Sequence, residues 1–212
     1  MFIEKSCQDF TARLSAREPV PGGGGAAAMA GALAASLCAM SGNYTLGKKN
    51  YEEVQDDIKE MLTECEELRI RLLNLVEADA DAFTPLSKAY SIPKDDPSRE
   101  SVLEEATKNA IKAPLAMMDA CADVLELLDE MLEKCNHTMI SDVACGAILA
   151  GAAMKAASLN VFVNTKSLKD RLKASEYEMT ADKLLEDYLP IAEVIAEEVT
   201  EEFRADSEDK NY

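Results

Sequence analysis

Hydrophobic residues recur at helical spacing along most of the chain. The clearest pattern places apolar residues three and four positions apart, at Val54, Ile58, Met61, Cys65, Leu68, Leu72 and Leu75. This spacing puts them on one face of a long helix. The same steps lead to Asp79 and then to Ala82 and Leu86, although Pro85 is expected to bend the helix. An acidic residue on an apolar face breaks the pattern, and such breaks favour a functional role.

Similar patterns predict helices over most of the remaining sequence. We expect them at residues 6–15, 26–40, 98–134, 139–164, 166–173 and 180–203. Pro114 should bend one of these helices and Pro190 should interrupt the last one. The polar segment 205–212 is expected to fray. Because no convincing strand and no internal repeat is found, the sequence predicts a single all-α domain over residues 1–212, a bundle of long helices with small-residue helices at its centre.

Composition supports a helical, globular protein and excludes several partners. Hydrophobic residues make up 48% of the chain, aromatic residues only 5%, and there is no Trp. The formal net charge is -18, which predicts a soluble protein that repels nucleic acid and anionic lipid. Residues 20–47 carry no charge, are mostly Gly, Ala and Ser, and are better explained by a buried helix than by a membrane span.

Cysteine and histidine usage argues for a reducing compartment and against a metal site. The six cysteines form no C-x-x-C pair, and the N-terminus lacks an apolar signal core. We therefore expect reduced thiols and a cytoplasmic location. His137 is the only histidine, which excludes histidine-rich zinc sites and the paired Glu-x-x-His motif of di-iron bundles. A Ser-His-Asp triad would depend on the same residue and has no G-x-S-x-G turn to support it.

A run of four glycines precedes the second predicted helix: Gly22, Gly23, Gly24 and Gly25. Together with Ala28 it matches the spacing G-x-G-x-x-A, but Pro19 and Pro21 stand where a dinucleotide-binding motif needs a strand, so that motif is excluded. Two interpretations stay open. The glycines form a helix start whose amides bind a carboxylate or phosphate, or they form a flexible turn.

Two carboxylates are candidates for acid/base chemistry. Desolvation of Asp79 would raise its pKa and make it useful near neutral pH, whereas a buried ion pair would give it a structural role. Asp142 lies at the start of a small-residue helix, where it could equally stabilise the helix dipole.

Polar candidates for ligand contacts are Asn160 and Asn164, one helical turn apart, and Lys48, which with Lys49 could anchor a carboxylated ligand or simply be solvated. On a straight helix Asp142 and Asn160 are about 27 Å apart, so they could contact opposite ends of one long ligand or separate sites in a dimer.

These residues belong to a pattern that runs in order along most of the chain. Its segments are Pro21 to Ala28, Gly31-Ala32, Met40, Thr45, Gly47 to Lys49, Asp79 to Phe83, Leu86, Ala89, Pro93-Lys94, Ala113 to Leu115, Asn136, Ser141-Asp142, Asn160-Val161 and Asn164. The pattern resembles the family of formiminotetrahydrofolate cyclodeaminases and methenyltetrahydrofolate cyclohydrolases.

The resemblance implies an all-helical homodimer that binds tetrahydrofolate, often polyglutamylated, and works without a metal or another cofactor. It assigns acid/base or pterin-orienting roles to Asp79 and Asp142. It assigns ligand binding to the four glycines and Lys48, and polar contacts to Asn160 and Asn164.

Two reactions are expected from such a protein. A cyclohydrolase interconverts 5,10-methenyl- and 10-formyltetrahydrofolate, and a cyclodeaminase converts 5-formiminotetrahydrofolate to the methenyl form with release of ammonia. The bifunctional animal enzymes usually carry serine at the position of Gly25 and add a transferase domain, so the resemblance slightly favours the free-standing cyclohydrolases, although free-standing cyclodeaminases are also known. The alternatives are the cyclodeaminase and a helical interaction protein that has lost catalysis, although scaffolding alone needs neither Asp79 nor Asp142.

Overall fold

A computed structural model of the protein describes the backbone of residues 1–208 and the side chains of residues 1–205. Within that part of the chain there are no strands and six α-helices: α1 Cys7–Leu14, α2 Gly23–Thr45, α3 Gln55–Tyr90, α4 Arg99–Lys134, α5 Ile140–Thr165 and α6 Arg171–Glu208. Short 3₁₀ segments, Lys49–Val54 and His137–Met139, precede α3 and α5. The predicted all-α bundle is confirmed.

The five long helices alternate in direction. At one end of α2 and α5, the Asn136 N–H donates a hydrogen bond of 2.7 Å to Thr45 Oγ1. At the other end, Asn160 lies beside Gly23, so α2 and α5 are antiparallel. We call the end of the bundle that contains Gly22–Gly25 the glycine end, and the end that contains Thr45 and Asn136 the opposite end.

The core is filled by aliphatic and methionine side chains, as the low aromatic content predicts. Leu125, Leu128 and Met154 are fully buried, and burial of such a side chain contributes about 1.5–3 kcal/mol. At Gly146 a Cβ would lie 2.9 Å from Leu128 Cδ2. Because position 146 has no side chain, α4 and α5 can approach each other closely there.

The apolar stripe of α3 follows the prediction in its first half and again at Leu86. Ile58 and Leu72 are fully buried, but the buried positions then continue at Val76 and Ala80. Leu75 and Asp79 are half-buried. The departure is local, because Leu86, further along the predicted stripe, is buried again. Asp79 therefore lies at the edge of the core and does not face its centre.

The glycine run does not form a loop before the helix. Helix α2 begins at Gly23, so Gly23–Gly25 are its first turn, and it continues to Thr45, past the expected end at Met40. The Ala26 N–H already donates to the Gly22 carbonyl oxygen over 3.0 Å.

The two helices expected at 166–173 and 180–203 are one helix, α6. Ala174 and Ala181 are fully buried against the bundle, so packing holds the polar segment between them in the helix. Pro190 is exposed and lies inside α6, so the expected interruption was wrong. The backbone also stays helical up to Glu208 in the segment expected to fray, and residues 209–212 lie outside the described part.

The outward sides of α2 and α5 carry large apolar residues. Leu33 on α2 and Ile148, Leu159 and Val163 on α5 are all more than half exposed. By length and composition alone, α2 and the segment His137–Thr165 are apolar enough to cross a membrane, but half of each apolar stretch is buried in the bundle. Core helices of soluble proteins share this property. We call the exposed apolar surface of these two helices the α2/α5 face.

Candidate functional site

The glycine end is formed by the start of α2. Gly22 is extended (φ -123°, ψ -158°) and supplies no side-chain cap. The first amides of a helix have no intrahelical partners, and together with the helix dipole they attract negative charge. The sequence therefore creates a helix start that must obtain its acceptor from elsewhere in the fold.

The Asp79 side chain of α3 supplies that acceptor. A Cβ at Gly24 would lie 2.4 Å from Oδ1 and 2.6 Å from Cγ and Oδ2 of Asp79, so the carboxylate rests directly on the first turn of α2. Burial raises the pKa of the Asp79 carboxyl, and the Gly25 N–H, which hydrogen-bonds to it, lowers this pKa in part. Asp79 takes part in no ion pair within residues 1–205, so the buried ion pair considered as its structural role is not found there. Its carboxylate instead caps the start of α2.

The asparagines predicted on α5 reach the same end. The side-chain amide of Asn160 lies 3.8 Å from the position of a Cβ at Gly23. Its Nδ2 donates to the Ala156 carbonyl oxygen, and Asn164 Nδ2 donates to the Asn160 carbonyl oxygen, both over 2.8 Å. These bonds hold both side chains on one face. Asp79, the glycines and Asn160 therefore lie together at the glycine end, which opens to solvent at the exposed Gly23. Asn164 lies one turn further along α5, beside Asn160.

Lys48 and Asp142 lie at the opposite end. Helix α2 has 23 residues, so its two ends are about 33 Å apart. Lys48 follows the far end and is exposed, and Asp142 is half-buried in the first turn of α5. The structure thus divides the predicted site residues into two groups that cannot contact the same atom within one chain.

Sequence reasoning missed the N-terminal segment as a neighbour of this site. The Ile3 N–H donates a hydrogen bond of 3.0 Å to Glu77 Oε1, two residues before Asp79. Phe2 and Ile3 also pack against the core. The only signal in the sequence was this apolar pair in an otherwise polar N-terminus.

A cleft between α3 and α4 is a weaker candidate for an anionic ligand. It has a volume of about 410 Å³, and its lining includes Glu64, Glu67, Asp123, Glu126 and Glu130. Its one basic residue, Arg71, is already paired with Asp119 and Asp123 at 2.6 and 3.1 Å. The glycine end is therefore the better candidate site.

The fold and the site define an all-α protein that holds a carboxylate on a glycine-rich helix start. A family model described as formiminotransferase-cyclodeaminase matches residues 6–183. Methenyltetrahydrofolate cyclohydrolase from Methylorubrum extorquens is 39% identical over 81% of this chain and 85% of that protein. The chain belongs to the formiminotransferase-cyclodeaminase family, as its motifs predict.

Two further relatives differ in how much of their own length this chain matches. The crystal structure of formiminotetrahydrofolate cyclodeaminase from Thermotoga maritima has a TM-score of 0.81 and 27% identity, covering 92% of this chain and 98% of that chain. Formimidoyltransferase-cyclodeaminase from Mus musculus is 28% identical over 79% of this chain, which spans 32% of the mouse protein.

Proposed function

We propose that the protein is a one-carbon folate enzyme that hydrolyses 5,10-methenyltetrahydrofolate to 10-formyltetrahydrofolate. The observation that carries this proposal is the half-buried Asp79 carboxylate on the first turn of α2, which Asn160 also approaches at Gly23. The methenyl bridge is a cationic carbon between two nitrogens, and a carboxylate with a raised pKa is both its electrostatic complement and a base. The cyclohydrolase relative, 39% identical, supports this reaction.

The proposed chemistry needs one water and one base. Water attacks the bridging carbon while Asp79 accepts a water proton, which leaves a tetrahedral carbinol between N5 and N10. The bond from carbon to N5 then breaks as N5 takes up a proton. The carbinol O–H loses its proton to give the formyl carbonyl, so the net reaction consumes one water and releases one proton.

The position of Asp79 changes the role expected for the glycines. Their amides already face a carboxylate of the protein itself, so they are less suited to a carboxylate of the ligand. We propose that Gly22, Gly23, Gly24 and Gly25 hold Asp79 and let the pterin approach the backbone, while Asn160 and Asn164 hydrogen-bond the ligand.

The second candidate function is the cyclodeaminase reaction, which the structural match to the Thermotoga maritima enzyme favours. Purified protein should be tested with both substrates, by following the absorbance of methenyltetrahydrofolate and the release of ammonia from 5-formiminotetrahydrofolate. Turnover of the first substrate without the second supports the proposal, and the reverse favours the deaminase. Inactivity with both would favour the non-catalytic interaction protein. The cytoplasmic location stays a prediction.

We further propose that the protein is a homodimer paired through the α2/α5 face. Two adjacent helices present exposed leucine and valine side chains, and a patch of this kind is typical of an interface. Asn160 and Asn164 border this face because they neighbour Leu159 and Val163 in α5. Leu159→Glu should give a monomer in sedimentation experiments, whereas the matched control Leu172→Glu, at an exposed leucine at the start of α6, should stay dimeric. A dimeric Leu159→Glu protein would contradict this interface.

If the two subunits of the proposed dimer are related by a two-fold axis perpendicular to the helices, Lys48 and Asp142 gain a role in the site. In such a dimer the opposite end of one copy lies beside the glycine end of the other, which completes two identical sites. Lys48 then binds the glutamate part of the folate, including a polyglutamate tail, and Asp142 acts as the second acid/base group.

Complementation between inactive subunits tests this shared site. If Asp79→Asn and Asp142→Asn are each inactive, a one-to-one mixture of exchanged subunits should recover about a quarter of wild-type activity, since half of the dimers carry one intact site of two. No recovery would contradict a site that is shared between the two subunits. A fully active Asp142→Asn enzyme would remove that residue from the site.

A further inference from the structure

The four glycines at the start of α2 differ in what surrounds them. A Cβ at Gly22 would have no atom within 4 Å, and one at Gly23 would approach Asn160 only to 3.8 Å. At Gly25 the nearest contacts are ordinary, 3.5 Å to Pro21 and 3.6 Å to Val76. Only at Gly24 would a side chain overlap its neighbour, at 2.4 to 2.6 Å. Among these four positions, only position 24 therefore requires a glycine on steric grounds.

The three atoms nearest to that missing Cβ are all in the Asp79 carboxylate: Oδ1, Cγ and Oδ2. The carboxylate thus occupies the space that a side chain at position 24 would take. An alanine there would force the carboxylate away from the first turn of α2, because the end of a short side chain moves more easily than two packed helices. Helix propensity alone would favour alanine over glycine at this position.

From this geometry we infer that Gly24 is a positioning residue, whose lack of a side chain sets the place of the Asp79 carboxylate. The catalytic consequence rests on the proposed function, in which that carboxylate is the base. Restoring contacts of about 3.4 Å from 2.4 Å requires the carboxylate to shift by about 1 Å, a displacement of the size that costs an enzyme roughly 100-fold in rate.

The rate test is a double-mutant cycle. Gly24→Ala should lower kcat roughly 100-fold when Asp79 is present and less than about 2-fold in the Asp79→Asn background, where no base is left to misplace. The effect should fall on kcat with little change in KM. Equal losses in both backgrounds would overturn the inference, since Gly24 would then act on the ligand and not through Asp79.

A second cycle needs no activity. In the wild-type background, Gly24→Ala should lower the melting temperature, because the new side chain overlaps the Asp79 carboxylate. In the Asp79→Ala background the same substitution should lower it less or raise it, because that carboxylate is absent and alanine is the better helix former. The matched change Gly23→Ala should shift the melting temperature equally in both backgrounds. Equal shifts for Gly24→Ala as well would overturn the inference. If this coupling is found in a protein that turns over neither folate, the proposed function fails while the positioning role stands.

Discussion

Replacing Asp79 by asparagine separates the catalytic role of this residue from its contact with α2. Asparagine keeps an oxygen that can accept from the Gly25 N–H but cannot take up a proton from water. If Asp79 is the base, turnover should fall roughly 100-fold or more. Asp81→Asn is a matched control, because Asp81 is exposed on the same helix two residues further on, and its rate should stay within about 2-fold of wild type.

The stability of the same variant should depend on pH in a defined direction. Burial raises the pKa of the Asp79 carboxyl above its ordinary value, so the folded protein holds this proton more tightly than the unfolded chain. The stabilisation from the neutral carboxyl is complete below the unfolded pKa and is lost as the pH rises through the folded pKa. The asparagine side chain of the variant does not ionise, so Asp79→Asn should melt at or above the wild-type temperature at pH 7 and should lose this advantage in acid.

The variant Asp79→Ala measures how much the contact between Asp79 and the start of α2 contributes to stability. Alanine relieves the buried charge as asparagine does but leaves the start of α2 without its acceptor, which costs about 1 kcal/mol. For a chain of this size that corresponds to a melting temperature roughly 2–4 °C below that of the asparagine variant. Initial rates and thermal melts on the same preparations give both quantities. Near-normal rates in a destabilised Asp79→Asn protein would show that the carboxylate is a structural anchor and that the proposed mechanism is wrong.

Three further outcomes are expected. Gly47 has φ +70°, so Gly47→Ala should lower the unfolding free energy by about 1–2 kcal/mol in a urea titration, and an unchanged midpoint would contradict the left-handed conformation. Leu128→Ala should cost about 2–5 kcal/mol by the same measurement because the side chain is fully buried; a loss below about 1 kcal/mol would mean that the site is not packed as described. The resemblance implies catalysis without a metal, so activity should survive a chelator in metal-free buffer, and loss that a divalent ion restores would refute that expectation.

The sequence by itself determined the class of fold and most of the helices. The apolar spacing from Ile58 to Leu72 is set by the 3.6-residue turn, which is a local property of the backbone, and it located the first half of α3 correctly. Local rules did worse where packing decides. The segment between Ala174 and Ala181 looked like a break, yet both alanines are buried against the bundle and hold it helical.

The candidate site shows the same division. The sequence drew attention to Asp79 and to the four glycines, but it did not relate them to each other. Gly24 and Asp79 meet because α2 and α3 pack in one particular register, which is fixed by side chains along both helices and not by either segment. The antiparallel packing of α2 and α5 likewise brings Asn160 to Gly23 and leaves Asp142 about 27 Å from Asn160, at the other end of the bundle. Helix period is encoded within a few residues, whereas register and direction come from contacts between residues far apart in the chain, and so only the tertiary structure decided which polar groups share a site.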